Sequence, residues 1–469
     1  MSAVDEANGP LDAIVVGGGI AGLTAAWTLR HRRVLVLEAS DRFGGRMRSE
    51  ARGEYWLNLG AHLFPGRGSL LDALVAELGL ETLSIPGSTT AVEFEGRVFP
   101  TRRVEAYPLR LPLSLSERIA FARAGLKLRA AVRRDRSAAT RGGRGTERWR
   151  AGLDRITFAE FLGPLPRRVE GIFRCAARRA TAEASEMAAS VGIRLFAQVW
   201  SGPDSEIALN LRGGTARLPA AMAQQLGPAA RTGSAVTRVE VEGGHAVVTC
   251  CTGGETVRVS ARHVIVAAPA HVAHRVVSTI TPRVERFLRS VSYGPFLSMA
   301  VLTSEPGRAP WDDVYALMTP GRSFDMLFNH ASCLRSGVRR PGGSLMVYVG
   351  GPPARRLMES KDDDVRDVYL RDLYRVYPSL RGHVSETLVH RWDPGNTFRR
   401  PGVAAPQAAS MTDGSIHFAG DYFAELGNME AAARSGRAAA RAVLDALASG
   451  PRAAGGHGQS RDPVAGVNR

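Results

Sequence analysis

Residues 13–38, AIVVGGGIAGLTAAWTLRHRRVLVLE, decide the fold. AIVV is a buried β-branched run, Ile20 to Leu29 has helical composition, and VLVLE is again a strand, so the stretch predicts strand, glycine turn, helix, strand. Between the first strand and the helix, Gly17, Gly19 and Gly22 fit the pattern G-x-G-x-x-G, and Glu38 follows 21 residues after Gly17. Gly17 permits the tight turn, Gly19 lets the backbone approach a pyrophosphate at the helix N-terminus, and Gly22 lets helix and strand pack closely. Glu38 would accept hydrogen bonds from ribose hydroxyls, which disfavours a 2′-phosphate. The expectation is a Rossmann-like dinucleotide site.

Working outward, Leu71, Leu74, Val75 and Leu78 followed by Gly79 predict a helix over 70–80, and Ala91 to Phe99 reads as one strand. Ser114 and Glu117 have capping-box spacing ahead of a helix from Ser116 to about Arg136. Ile119 and Leu126 fall on one face of it while Phe121, Leu128 and Val132 fall opposite, with arginines between, which is not a clean membrane-surface pattern. A loop is expected at Arg141 to Gly145. A helix at 211–226 leads into strands at Val236 to Glu242, Ala246 to Cys251 and HVIVAAP. Further strands are expected at 291–304, 344–350 and Ile416 to Ala419, and helices at Asp363 to Tyr374 and Asn428 to Ala448. The tail after Pro451 has the composition of a disordered segment.

At 469 residues the chain is long enough for two or three structural units. A 44% hydrophobic and 23% charged composition is that of an ordinary globular protein. The four cysteines, Cys175, Cys250, Cys251 and Cys333, have neither zinc-ligand nor C-x-x-C spacing and read as reduced core residues; no metal site is expected. Met1 to Pro10 lacks the features of a secretory signal, so a cytoplasmic location is the default. The uncharged run Ala13 to Leu29 is interrupted by Gly17 to Gly19 and is not a membrane span.

Net charge is +16, from 61 basic residues of which only Lys127 and Lys361 are lysines. Between Arg97 and Arg179, 21 basic residues face 7 acidic ones, so nearly all the excess sits in one segment. Nucleic acid, an anionic membrane surface or a phosphorylated substrate could each exploit that field; a solvated arginine-rich subdomain is the plainer reading. The partners expected are a small-molecule substrate and, as an option, a membrane surface touched at its periphery, with no nucleic acid; the oligomeric state is open.

Past Glu38, Gly44, Gly45 and Arg46 follow in EASDRFGGRMRS (38–49). This resembles the second motif of the superfamily that contains flavin amine oxidases, protoporphyrinogen oxidases and phytoene desaturases. NLGAHLFPG (58–66), LRGGTARL (211–218) and IHFAGDYFAELGNMEAAARSGRAAA (416–440) match the same superfamily in order and spacing, the last in its desaturase form. The resemblance implies FAD as cofactor, with Arg46 at its phosphates, Gly60 and Ala61 beside the isoalloxazine, Val236 at the adenine, Gly420 and Asp421 at the ribityl or pyrophosphate, and Met429 at the pyrimidine edge. A helix that begins near Asn428 points its positive end where negative charge at flavin N1 and O2 would gather.

It further implies an α/β architecture: an FAD-binding domain assembled from 1–86, 205–290 and 395–450, with an α+β substrate domain made of the inserts 87–204 and 291–394. Amine oxidases of this superfamily carry a lysine in the strand after a Tyr-Gly step; Tyr293-Gly294-Pro-Phe-Leu-Ser-Met-Ala-Val contains none. The leading expectation is therefore dehydrogenation of a C–C unit in an apolar or polycyclic molecule, with C–N oxidation of an amine as the alternative. A redox-neutral sugar mutase, suggested by Gly60, His62 and Phe64, or a non-catalytic flavin-binding partner comes third. His62, Trp392 and Tyr422 are the candidate catalytic residues; Glu425 is a possible cavity residue, and Glu430 is expected to cap a helix rather than remove a proton.

Overall fold

The structure, a computed structural model, describes residues 10–85, 90–101, 103–141, 144–198, 207–335, 338–404 and 410–449. The opening motif folds as β1 (Leu11–Val16), α1 (Ile20–Thr28) and β2 (Val34–Leu37), with β1 and β2 parallel and in register from Ala13↔Val34 to Val16↔Leu37. Eight of the nine residues of α1 are buried, as an almost uncharged helix wrapped by its own protein should be.

Remote parts of the chain complete this sheet. The strand Glu255–Val266 does two jobs: its first half runs antiparallel to His245–Thr252, while Val264–Val266 lie parallel between β1 and Ile416–Phe418. Its burial follows, half exposed over ETVRVS and continuous over VIV, as expected where one half has a solvated face and the other is covered on both. The sheet order, from Ala230–Arg231 through β2, β1, Glu255–Val266 and His245–Thr252 to Ser234–Glu242, uses strands from two separated stretches, and Ile416–Phe418, paired to Glu255–Val266 off this path, adds a third.

A second, seven-stranded sheet is built from Val384–Phe398, Ser292–Thr303, Gly343–Gly350, Met326–Asn329, Ala316–Met318, Thr90–Phe94 and Arg97–Thr101. Here the single strand expected over 91–99 is corrected to a hairpin. Glu95 (φ 51°) and Gly96 (φ 78°) make a two-residue turn with both residues left-handed, the geometry that matches strand twist.

Helices of the first insert cover one side of that sheet. The predicted capping box forms: Ser114 N donates to Glu117 Oε2 (2.8 Å) and Glu117 N to Ser114 Oγ (3.3 Å), starting a helix over Leu115–Arg141. It runs further than read, to Arg141, and Arg144–Leu153 is helical too, so both ends of the loop expected over 141–145 are corrected to helix; positions 142 and 143, like the tail after Pro451, lie outside the described residues. The terminal helix Met429–Ala448 lies on α1 so closely that a Cβ on Gly436 would come 1.9 Å from the Ala21 carbonyl oxygen. No helix among the described residues is long and apolar enough to cross a membrane.

Candidate cofactor cradle and active site

The glycine turn is held from several sides. Gly17 has φ +105°, and a Cβ on Gly22 would lie 1.9 Å from the Gly17 carbonyl oxygen, so neither position tolerates a side chain. Gly19, the residue before α1, differs: nothing lies within 4 Å of where its Cβ would be. That open space sits at the positive end of a buried helix, where a pyrophosphate fits. Glu38 accepts from Gly18 N (2.6 Å) and Ser40 N (2.9 Å), fixing its carboxylate at the end of β2.

The second motif clasps the first. Gly44 N donates to Gly18 O (2.8 Å), and Gly45, in the left-handed region, brings its backbone against Gly19. Arg46 then turns toward the far end of the chain, donating to Asp421 Oδ1 (2.7 Å) and to Gly395 O (2.9 Å). Gly420 N donates to Ser435 Oγ (2.9 Å), and Asn428 Oδ1 caps the terminal helix through Ala431 N (2.8 Å), with Met429 buried in its first turn. On the other flank, Ser234 N bonds Glu38 O (2.8 Å), which brings the strand carrying Val236 beside the acid. An open helix N-terminus, an acid beside it, a cation and a second helix N-terminus fit FAD: Gly19 and α1 would hold its pyrophosphate, Glu38 its ribose, and Arg46, Asp421 and the Met429 turn its flavin half.

Gly60, Ala61 and His62 cross between the two sheets. Ala61 N donates to Arg46 O (2.9 Å), Thr215 Oγ1 donates to Ala61 O (2.6 Å), and Leu59 O accepts both Ser298 Oγ and Trp392 Nε1 at 2.7 Å. A Cβ on Gly60 would strike the Arg46 carbonyl at 2.0 Å and approach Trp392. Ser298, fully buried on the strand Ser292–Thr303, thus spends its hydroxyl on anchoring the crossing segment.

His62 ends that segment inside an aromatic wall. Its ring meets Phe328 at 4.4 Å and tilts toward Tyr348 at 6.1 Å, and Phe296 packs on Tyr348 at 4.5 Å. His62 Nδ1 is 3.1 Å from His330 Nε2, both rings buried. Burial, then His330 and Arg179, holds the His62 pKa well below the ordinary value, and burial lowers that of His330 to about 3. The pair is neutral at physiological pH, one nitrogen donating and the other accepting. Each ring also has a second nitrogen, and His330 Nδ1 is buried with no hydrogen-bond partner among the described residues. Sequence reading missed His330, Tyr348 and Arg179, which hydrogen-bonds Tyr348. Each is a single residue in an ordinary strand or turn, and no motif marks it.

The other candidates separate. Trp392 is held by its bond to Leu59 O and by edge contact with His390 at 4.2 Å, which makes it a wall of the crossing. Tyr422 packs its ring among Phe287 and Phe423, with its hydroxyl buried and without a hydrogen-bond partner among the described residues. Glu425 is ion-paired with Arg194. Glu430 does cap a helix, but one other than its own: it accepts from Leu70 N (2.9 Å) and Leu71 N (3.0 Å) of α2 (Leu70–Glu77). Glu430→Ala should therefore cost about 1–2 kcal/mol, lowering Tm by a few degrees in a melt, with kcat of the holoprotein unchanged. A large fall in kcat at unchanged Tm would instead make it a catalytic acid or base.

Buried neutral histidines also set an acid limit. Unfolded, each titrates near 6.5; folded, His330 is lowered to about 3, His417 to about 4, and His62 well below 6.5, in each case chiefly by burial. Between those values the unfolded chain binds protons that the native chain does not. Stability is then complete above pH 6.5 and falls below it, by up to about 1.4 kcal/mol per pH unit for each histidine. Melts between about pH 7 and pH 5 should show a falling Tm, and His330→Gln should flatten the slope. A pH-independent Tm would contradict neutral burial.

Comparison with known proteins bears on the family and the fold. The family model for flavin containing amine oxidoreductase matches residues 20–444. A cyclohexylamine oxidase from Brevibacterium oxydans IH-35A superposes with TM-score 0.76 at 21% identity, covering 94% of this chain and all of that one; at that identity the likeness is one of fold. A probable flavin-containing monoamine oxidase A of Dictyostelium discoideum is 40% identical over 73 residues, 15% of this chain and 16% of that protein. A coproporphyrinogen III oxidase of Mycobacterium tuberculosis is 38% identical over 98 residues, 19% and 22% respectively. The chain thus matches under a quarter of the length of these curated relatives.

Proposed function

We propose a reaction on one premise: the chain belongs to the flavin-containing amine oxidoreductase family and is an FAD-dependent oxidoreductase. The reaction is oxidation of a C–N bond in a small amine. This reverses the order of expectations that the missing lysine had set, because family and fold favour the C–N alternative over C–C dehydrogenation. The observation that carries it is the neutral His62–His330 pair set in the wall of Phe296, Phe328 and Tyr348.

An amine arrives in water as an ammonium ion, and only its neutral form can release hydride from the carbon beside nitrogen. A buried neutral imidazole pair beside an aromatic wall disfavours a cation, so the ammonium leaves its proton to bulk water on entry, and His62 meets the neutral amine as a hydrogen-bond partner. The aromatic wall holds the neutral amine away from bulk water and seats its apolar part. FAD, when bound, supplies the two-electron acceptor, later reoxidised by oxygen or another acceptor. Loss of hydride from carbon and of a proton from nitrogen leaves an imine, which water converts to a carbonyl compound and ammonia or a smaller amine.

The absence of a lysine from the strand Ser292–Thr303 supports a second reading, C–C dehydrogenation. Anaerobic mixing of yellow holoprotein with alicyclic, aromatic and aliphatic amines separates the two. The expected result is bleaching by at least one amine with release of about one carbonyl product per flavin. Bleaching by a porphyrinogen or polyene and by no amine would overturn the C–N assignment.

A further inference from the structure

We infer that the outer face of the helix Leu115–Arg141 is a docking surface for an anionic lipid bilayer, which the protein touches without crossing. The helix has two apolar faces. Phe121, Leu128 and Val132 are buried in the helical insert, whereas Leu115 is 75% exposed, Ile119 60% and Leu126 68%. Leu115, Ile119, Ala122 and Leu126 lie within about 60° of arc along roughly 16 Å of helix, a continuous stripe rather than scattered surface leucines. Leu109, 75% exposed, lies beside the first turn, where Arg118 reaches its carbonyl.

Charge says what covers the stripe. Arg123 flanks it on one side, Arg129 on the other, and Arg133 continues it two turns beyond Leu126. None of the three has an ion pair or hydrogen bond among the described residues, although arginines elsewhere on this insert do. The only two carboxylates in the helix sequence turn the other way: Glu117 pairs with Arg168, and Asp135 with Arg150 and Arg194. An apolar stripe with unpaired cations on both sides and its acids drawn inward is complementary to lipid headgroups over acyl chains. A second copy of this chain fits worse, since it would bring the same arginines face to face within a molecule of net charge +16.

Co-sedimentation of the full-length holoprotein with vesicles of phosphatidylcholine, with and without phosphatidylglycerol, tests this at low and physiological salt. Binding is expected on the anionic vesicles and should weaken with salt. The triple variant Arg123→Gln, Arg129→Gln, Arg133→Gln should bind about a hundredfold less, each cation contributing roughly a factor of five at such a surface. Leu115→Ser, Ile119→Ser, Leu126→Ser should lower binding at least about tenfold, with flavin absorbance and Tm as folding controls, since all three side chains are exposed. No binding to anionic vesicles at low salt overturns the proposal. So does binding indifferent to the serine substitutions, or preferred binding to an oligonucleotide, either of which leaves only a polyanion site. Serine substitutions that turn a dimer into a monomer, with no vesicle binding by either form, assign the stripe to a second copy.

Discussion

Gly19→Val is expected to purify colourless, with FAD affinity at least about a hundredfold lower, while its apoprotein melts at the wild-type temperature. The φ of Gly19 is −70°, which any residue accepts, and no protein atom lies within 4 Å of the added Cβ, so the apoprotein has nothing to clash with. The open space is where the pyrophosphate meets the α1 N-terminus, and losing charge-assisted bonds there costs about 1.5–3 kcal/mol each. Gly22→Val makes the contrast. Its Cβ would overlap the Gly17 carbonyl, so flavin loss should come with a lower apoprotein Tm. Flavin absorbance per protein after purification, FAD titration and an apoprotein melt read all three quantities. A fully loaded Gly19→Val would move the pyrophosphate away from this turn.

His62→Phe is expected to lower kcat/KM about 10–100-fold, the usual cost of losing a group that orients the reacting amine. It should leave bound flavin unchanged, because the cradle contacts of the segment run through Leu59 O, Ala61 N and Ala61 O rather than through the imidazole. The pH profile should keep its shape, since the amine leaves its proton to bulk water in either protein. His62→Gln keeps a hydrogen-bonding group able to reach His330 and should recover a large part of that loss. Loss of less than about threefold in His62→Phe would assign orientation of the amine elsewhere. Loss of flavin together with activity would make His62 structural.

The cradle was largely legible because its chemistry is local and repetitive. Gly17, Gly19, Gly22 and Glu38 lie in one βαβ unit, and backbone strain at a tight turn admits few alternatives to glycine. The terminal helix was legible too, to within a residue at its start. Reading failed where a residue's role depends on a partner far along the chain. The partner of Arg46 in the cradle, Asp421, lies 375 residues away, and no motif pairs the two. Glu430 was expected to serve its own helix and instead caps α2. The 91–99 stretch was one strand on paper because its alternation continues across Glu95 and Gly96, and only two left-handed residues break it.

The sequence by itself determined the nucleotide-binding unit, the FAD motifs in their order, and the location of nearly all the excess charge, since each is a property of neighbouring residues or of composition. Tertiary structure alone decided the rest. It paired His62 with His330 across 268 positions, placed Ser298 beneath the crossing segment, and chose which apolar face of the basic helix is core. Periodicity gives a helix its faces, but which of them meets protein depends on the elements that pack against it.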